Sequence, residues 1–253
     1  MKKVVVLSQD EPLFLTESVE LLVDSLRQKG FEVMVGVMGA SPFGRKFNVA
    51  QKAWHTLRIF GVYFFIFYSF KIFLAKIFQR SLVMRLNSRN VHYMKITDVN
   101  SPNTIQELRD WGAEIIISFA GNQILKKEFL NTWPRKILNV HTAKLPKYRG
   151  LMPAFWVMKH NECDTAVSVF LVDEGIDSGP ILVQNNHKIV EQSHYELIKN
   201  TKALAVVSAV EAIEKLAVGK FHLLDNDDEA STYFGFPTRD DVIEFKKRGG
   251  KLI

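Results

Sequence analysis

The sequence predicts an α/β fold built on a doubly wound, mostly parallel sheet. Three observations carry that prediction. β-Branched apolar runs alternate with amphipathic segments along the 253 residues. The central runs are continuously apolar, as in strands buried on both faces. Glycines stand where the helical patterns stop. "KKVVVLS" (2–8) opens as a short strand, and "ESVELLVDSLRQKG" (17–30) has helical spacing that ends at Gly30 after basic residues. "FEVMVGVMG" (31–39) is a second strand and "VHYMKIT" (91–97) a third. "NTIQELRDWG" (103–112) makes a short helix, with Asn103 as its expected cap and Gly112 as its stop. "AEIIISFAG" (113–121) and "KILNVHTA" (136–143) follow as buried strands, the second ending polar. "TAVSVFLVDEG" (165–175) and "GPILVQNNHKIV" (179–190) are adjacent strands on a tight Gly/Asp/Ser-rich link, expected to include an antiparallel pair. "YELIKNTKALAVVSAVEAIEKLAVG" (195–219) is a long amphipathic helix stopping at Gly219. No internal repeat, low-complexity segment or Pro/Gly-rich linker interrupts this order.

With 47% apolar and 24% charged residues, the chain reads as one globular domain, or one with a small appendage. The single cysteine, Cys163, excludes a disulfide framework within the chain and a multi-Cys zinc site, and fits a reducing, cytoplasmic compartment. Four apolar residues between Lys3 and Ser8 are too few for a signal-peptide core.

The net charge of +6 is local. Val33 to Thr97 contains ten Lys and Arg and no Asp or Glu, so the remainder sums to −4, with 23 basic against 27 acidic residues. The chain as a whole is therefore not nucleic-acid-like. Within that region lies "RIFGVYFFIFYSFKIFLAKIFQR", Arg58 to Arg80. Its longest uncharged run, Ile59 to Phe70, is twelve residues, short of the about 20 that a membrane crossing needs. Two readings stay open: a core or homo-oligomer interface helix, and an interfacial helix turning Arg58, Lys71, Lys76 and Arg80 toward anionic lipid.

Three polar residues fall at strand ends: Asn139 and His141 of "LNVHTAKLPKYRG", and Asp177 of "DEGIDSGP". Asn139 and His141 are two apart, so on a strand they share a face. In doubly wound sheets, ligands lie beyond the carboxyl ends of the strands, where these residues fall. An amide and an imidazole converging on one oxygen have the composition of an oxyanion site, and a nearby carboxylate favours the imidazolium. With no Ser or Cys nucleophile at hand, the attacking group is expected from a second substrate, which favours direct acyl transfer. Singly, each residue reads equally as a turn former or a satisfied surface group.

"LNVHTAKLPKYRGLMPAFWVM" followed by "TAVSVFLVDEGIDSGPILVQ" resembles the folate-dependent formyltransferases, a family that includes methionyl-tRNA formyltransferase, glycinamide ribonucleotide transformylase and the sugar N-formyltransferases. The resemblance runs from about Ala113 to Gln184, with "STYFGFPTRDDVIEF" more loosely similar. It implies a Rossmann-like sheet of the formyltransferase type, with a catalytic domain at 1–219 that carries an insertion at about 45–90, and a short extension at 220–253. By the same resemblance, Asn139 and His141 hold the formyl oxygen of 10-formyltetrahydrofolate, and Asp177 keeps His141 charged and helps remove the amine proton. Asn122, Gln123, Ile124 and Leu125 line the pterin pocket largely with backbone groups. The Val172–Ile176 loop, with Glu174 and Gly175, closes its other side, and Gly175 and Gly179 allow the tight bends. Lys144, Lys147, Tyr148 and Arg149 are candidates to meet an anionic substrate group or to shape the channel. Phe155 and Trp156 read as helix packing.

The co-substrate implied is the folate, with no metal. The acidic run Asp225–Glu229 has Ala230 where a calcium loop needs Gly, and the histidines lack metal spacing. The partner expected is a small-molecule amine, not a nucleic acid. After the first strand, "LSQDEPLF" has Asp10 and Glu11 in place of the Gly-rich phosphate cradle of the glycinamide ribonucleotide enzymes. With 34 residues after Gly219, the tRNA-gripping domain of methionyl-tRNA formyltransferases is not expected. An amino sugar nucleotide is thus the expected acceptor. The alternatives are a methionyl-tRNA formyltransferase-like enzyme lacking that domain, and a 10-formyltetrahydrofolate hydrolase.

Overall fold

Strand β1 (Lys3–Asp10) leads through helix α1 (Leu15–Gln28) to β2 (Glu32–Gly39). Three helices, α2 (Val49–Phe60), α3 (Val62–Phe78) and α4 (Leu82–Ser88), precede β3 (His92–Ile96). Then come α5 (Pro102–Trp111), β4 (Ile115–Ser118), α6 (Lys127–Thr132) and β5 (Ile137–His141). The two-residue β6 (Arg149–Gly150) and α7 (Pro153–Lys159) separate these from β7 (Asp164–Leu171) and β8 (Ile181–Lys188). The chain closes with α8 (His194–Val218), the short β9 (Tyr233–Phe234) and α9 (Arg239–Lys247). This computed structural model describes residues 1–40, 48–78 and 81–253; part of the insertion expected at about 45–90, including Arg80, lies outside them.

Seven strands form one sheet in the order β3-β2-β1-β4-β5-β7-β8. β1 to β5 run parallel, β7 is antiparallel to β5, and β8 is antiparallel to β7. This is the doubly wound, mostly parallel sheet with an antiparallel pair that the sequence predicts. The reason is visible in β1: Val4, Val5 and Val6 are fully buried, with alternate residues entering opposite cores. One core lies under α1, α4 and α8; the other lies under α5 and α6. From β3 the chain returns to β4 on the other side of β1. The carboxyl ends of β1 and β4 therefore make a switch point, where such sheets open a crevice.

The helix ends follow local chemistry. Ser101, not Asn103, caps α5: its hydroxyl accepts from Thr104 N at 3.2 Å, and Pro102 takes the first helical position. The correction is small and has a cause, since Ser followed by Pro is the stronger start signal. Gly112 and Gly219 end their helices in the left-handed conformation, as expected.

The α2–α3 corner turns at Gly61 (φ +90°). Phe60 and Phe64 go inward and join Tyr148, Phe155, Trp156, Val242 and Phe245 in a third core. Phe155 and Trp156 are thus packing residues of α7. α4 then returns to the main core through Leu82 and Leu86, both fully buried. Its basic residues are answered from α1: Arg85 pairs with Glu20, and Arg89 pairs with Glu20 and Asp24. Residues 220–253 fold back on the rest of the chain. Leu224 bridges to Ile181, β9 pairs in parallel with β6, and α9 packs against α2 and α7.

Candidate active site

β5 delivers Asn139 and His141 to one face at its carboxyl end, opposite Phe170 and Ser168 of β7. Asp177 approaches from the β7–β8 connection in a left-handed conformation (φ +52°). The three side chains meet. Asn139 Nδ2 donates to Asp177 Oδ1 at 3.4 Å, the long end of hydrogen bonding, and His141 Nδ1 lies 3.5 Å from Asp177 Oδ2. All are shielded, the His141 and Asp177 side chains being 7% and 13% exposed, so charge on them acts in a medium of low polarity.

His141 Nε2 sits 2.7 Å from the carbonyl oxygen of Tyr148. A carbonyl can only accept, so Nε2 carries a proton and Nδ1 is the nitrogen that faces Asp177. Tyr148 itself is left-handed (φ +62°) and is held by its hydroxyl, which donates to Glu162 Oε1 at 2.7 Å. Burial and that carboxylate push the Tyr148 phenol well above its ordinary range. Gly150 N donates to Asp177 Oδ2 at 2.8 Å. Gly150 needs its glycine twice over: φ is +96°, and a Cβ would run into the Phe234 carbonyl of β9.

The Asp177 loop is clamped from the C-terminal segment. Asn226, buried, donates through Nδ2 to the carbonyls of Asp177 (2.9 Å) and Gly179 (2.8 Å). Its Oδ1 accepts from Arg149 at 3.0 Å, and Arg149 also reaches Asp228 Oδ1 at 2.6 Å. At Gly179 a side chain would overlap the Leu171 carbonyl, so the loop packs only with glycine there. Asn226 was not singled out by the sequence, where it is one residue of an acidic run. No local spacing signals that it crosses to Asp177. Ser168 escaped notice in the same way: it is fully buried, donates to Ala143 O at 2.7 Å, and accepts from Leu145 N at 3.2 Å. It thereby pins the loop that follows His141.

The remaining expected residues divide. Asn122, Gln123, Ile124 and Leu125 lie beyond β4 at the switch point. Asn122 Nδ2 donates to Gln9 Oε1 at 3.1 Å and Gly39 O at 2.9 Å. Gln123 spends its side chain on Val99 N (2.9 Å) and Thr97 O (3.3 Å), which leaves only its backbone toward a ligand. Leu125 and Val172 pack on the same core, and Lys127 Nζ is 3.9 Å from Glu174, so the two loops lie side by side. Ile124 and Ile176 are exposed there. Asn122 Oδ1 is buried without a hydrogen-bond partner among the described residues. Exposed apolar side chains and backbone groups fit a flat heteroaromatic ring. Of the basic loop, Lys144 pairs with Asp164 at 2.8 Å and Arg149 is committed to the C-terminal segment, whereas Lys147 is exposed.

At the start of α1, Glu11 accepts from Leu13 N (2.9 Å), Phe14 N (2.8 Å) and Leu15 N (3.2 Å). The chain's own carboxylate thus fills the helix N-terminus, where other proteins seat a phosphate. Nearby, desolvation holds the Lys202 ammonium down to about 8, against an upward pull from Glu11.

A doubly wound sheet thus brings a shielded amide, imidazole and carboxylate together at its strand ends. The family model described as "Formyl transferase" matches residues 69–212, more than half of the chain, and the chain belongs to that family. A methionyl-tRNA formyltransferase from Kosmotoga olearia is 30% identical over 156 residues, which is 61% of this chain and 50% of that protein. The chain spans about half the length of such relatives. Among solved structures, glycinamide ribonucleotide transformylase 1 from Symbiobacterium toebii superposes with TM-score 0.64 at 17% identity, covering 89% of this chain and 95% of that one. An N-formyltransferase from Helicobacter canadensis, in complex with folinic acid and dTDP-3-aminofucose, superposes with TM-score 0.62 at 18% identity, covering 93% and 71%. At such identities the likeness is one of fold.

Proposed function

We propose that this protein transfers a formyl group from 10-formyltetrahydrofolate to a primary amine of a small molecule, and that the acceptor class is an amino sugar carried on a nucleotide. The observation that carries the reading is the convergence of Asn139 and His141 on Asp177, at 3.4 and 3.5 Å, at the end of β5. The folate supplies the activated formyl carbon. In this reading Asn122, Leu125, Val172 and Ile176, with the backbone of Gln123, Glu174 and Gly175, hold its pterin end. Asn139 Nδ2 and protonated His141 Nδ1 donate to the formyl oxygen as negative charge gathers on it. The attacking amine must shed a proton to become an amide, and Asp177 Oδ2, beside His141, takes it directly or through water.

The acceptor class rests on two supports. Glu11 occupies the α1 N-terminus, which disfavours a phosphate bound there as in a simple ribonucleotide. The Helicobacter canadensis neighbour binds an amino sugar nucleotide over the same fold. A second reading, a methionyl-tRNA formyltransferase-like activity, is favoured by the 30% identical relative. The discriminating experiment incubates the purified protein and formyl folate with a panel of amino sugar nucleotides, with charged initiator tRNA, and with no amine. Products are read by mass for a gained carbonyl. Formylation of a sugar supports the proposal. Formylation of the tRNA alone moves the chain to the second reading, and rapid formate release without amine makes it a hydrolase.

A further inference from the structure

The outer face of α3 is apolar, aromatic and uncovered. Tyr63, Ile66, Phe70, Phe73 and Ile77 are all more than half exposed. At about 100° per residue they fall in one sector about 80° wide, and Val62 and Trp54 extend it toward α2. The opposite face of α3 is spent on the protein. Phe64 and Ala75 are buried, Phe64 stacks on Tyr68 at 4.2 Å, and Lys71 lays its ammonium over the rings of Phe67 and Tyr195. Lys71 therefore points inward, away from the flank that the sequence suggests for it.

We infer that this face docks on the surface of an anionic phospholipid bilayer. Two features select lipid over other occupants. The first is charge. Val33 to Thr97 carries no acid, and Arg58 and Lys76, both exposed beside the stripe, form no ion pair among the described residues. A groove of about 530 Å³ between the α2–α3 corner and α9 continues the stripe through Trp54 and Val62, and Arg58 and Arg239 line it. None of the acids of α9 lines the groove, and Asp241 and Glu244 are already paired with Lys159. Two copies meeting through α3 would bring cations together with no acid on the stripe to answer them, whereas phosphate headgroups neutralise them. The second feature is composition. Four of the seven stripe residues are aromatic, Trp54, Tyr63, Phe70 and Phe73, beside Val62, Ile66 and Ile77, and Trp and Tyr favour the headgroup boundary.

The helix lies on the bilayer and does not cross it. An 18-residue window within 62–88 has a mean hydropathy of 1.4, enough for a crossing by length and composition alone. Yet Leu82 and Leu86 are fully buried in the main core, and Leu82 N donates to Asp10 Oδ1 at 2.9 Å. Insertion across lipid would strip these groups from the domain.

The test is sedimentation with extruded vesicles of phosphatidylcholine alone, or of phosphatidylcholine with phosphatidylglycerol, at low and high salt. Wild type is expected to sediment with the anionic vesicles at low salt only. Phe70→Glu/Phe73→Glu and Arg58→Glu/Lys76→Glu are each expected to cut that binding at least tenfold. These four side chains are solvent-exposed, and circular dichroism with thermal melts checks that the variants fold. Wild type that ignores anionic vesicles, or equal binding by Phe70→Glu/Phe73→Glu, overturns the inference. So does a wild-type dimer in light scattering, made monomeric by the same substitutions, with no vesicle binding; that result would make the face a contact between copies.

Discussion

The imidazole of His141 is held by the backbone carbonyl of Tyr148, 2.7 Å from Nε2, so a single ring nitrogen, Nδ1, faces Asp177. The consequence is chemical. A ring free at both nitrogens could present either tautomer; this one presents a lone pair when neutral and a donor when charged, always in the same direction. The Asp177 carboxylate lies 3.5 Å from that nitrogen, and Asn139 supplies a donor from the same strand face. The loop that carries Tyr148 is thereby part of the site through its backbone, while its side chain is anchored on Glu162.

Replacing Asn139 by Ala or Asp177 by Asn is expected to lower kcat on the true acceptor by about a hundredfold or more, the scale of one lost oxyanion donor or proton acceptor. Asn at 177 still accepts from Gly150 N, so the thermal midpoint should barely move. Steady-state kinetics beside a melting curve makes the check, and near-full turnover in either variant removes these residues from the chemistry.

Asn226 should behave as a positioning residue. Asn226→Ala leaves the carbonyls of Asp177 and Gly179 without their donor and frees one side of Arg149. A loss of about 1–3 kcal/mol in stability follows from the orphaned groups. Turnover should fall about tenfold with a smaller change in KM for the folate, since Asp177 loses its clamp directly while Asn122–Leu125, on the other side of the pterin, do not touch Asn226. A kcat equal to wild type would show that Asp177 keeps its place without the clamp.

These two cases mark what the sequence discloses and what it conceals. Asn139 and His141 were legible because a strand's two-residue period puts them on one face within five residues of chain. The sheet was legible because buried parallel strands are continuously apolar, as Val4–Leu7 and Ile115–Ile117 are. Asn226, 49 residues from Asp177 along the chain, meets it only through the tertiary fold, and no periodicity records that crossing. Lys144 and Arg149 looked like substrate ligands because a sequence gives charge without direction; their partners, Asp164 and Asp228, lie 20 and 79 residues away. α3 was ambiguous for a related reason. An all-round apolar helix has no face to read until its neighbours are in place.

Glu11 is expected to contribute to stability as a helix cap. Glu11→Ala removes the acceptor shared by Leu13, Phe14 and Leu15 N–H groups, at a cost of about 1 kcal/mol, the usual scale for losing a cap. Urea denaturation at neutral pH measures it. An unchanged midpoint would mean that water or another group serves these N–H groups equally well.

His194 should set part of the acid limb of stability. It is 2% exposed at the first residue of α8, and neither ring nitrogen has a hydrogen-bond partner among the described residues. Burial lowers its pKa from 6.5 to about 4. Between those values the unfolded chain binds the proton and the folded one does not, so stability rises with pH. The contribution is fully present above about pH 6.5 and is lost as pH falls toward about 4, at a slope approaching about 1.4 kcal/mol per unit. His194→Leu deletes the titrating group and should flatten that limb by the same slope, with stability at pH 7 held or raised because two orphaned nitrogens are gone. Urea midpoints at pH 7, 6 and 5 decide the matter: parallel declines in the two proteins would show that His194 is hydrated or partnered in solution and does not titrate as a buried group.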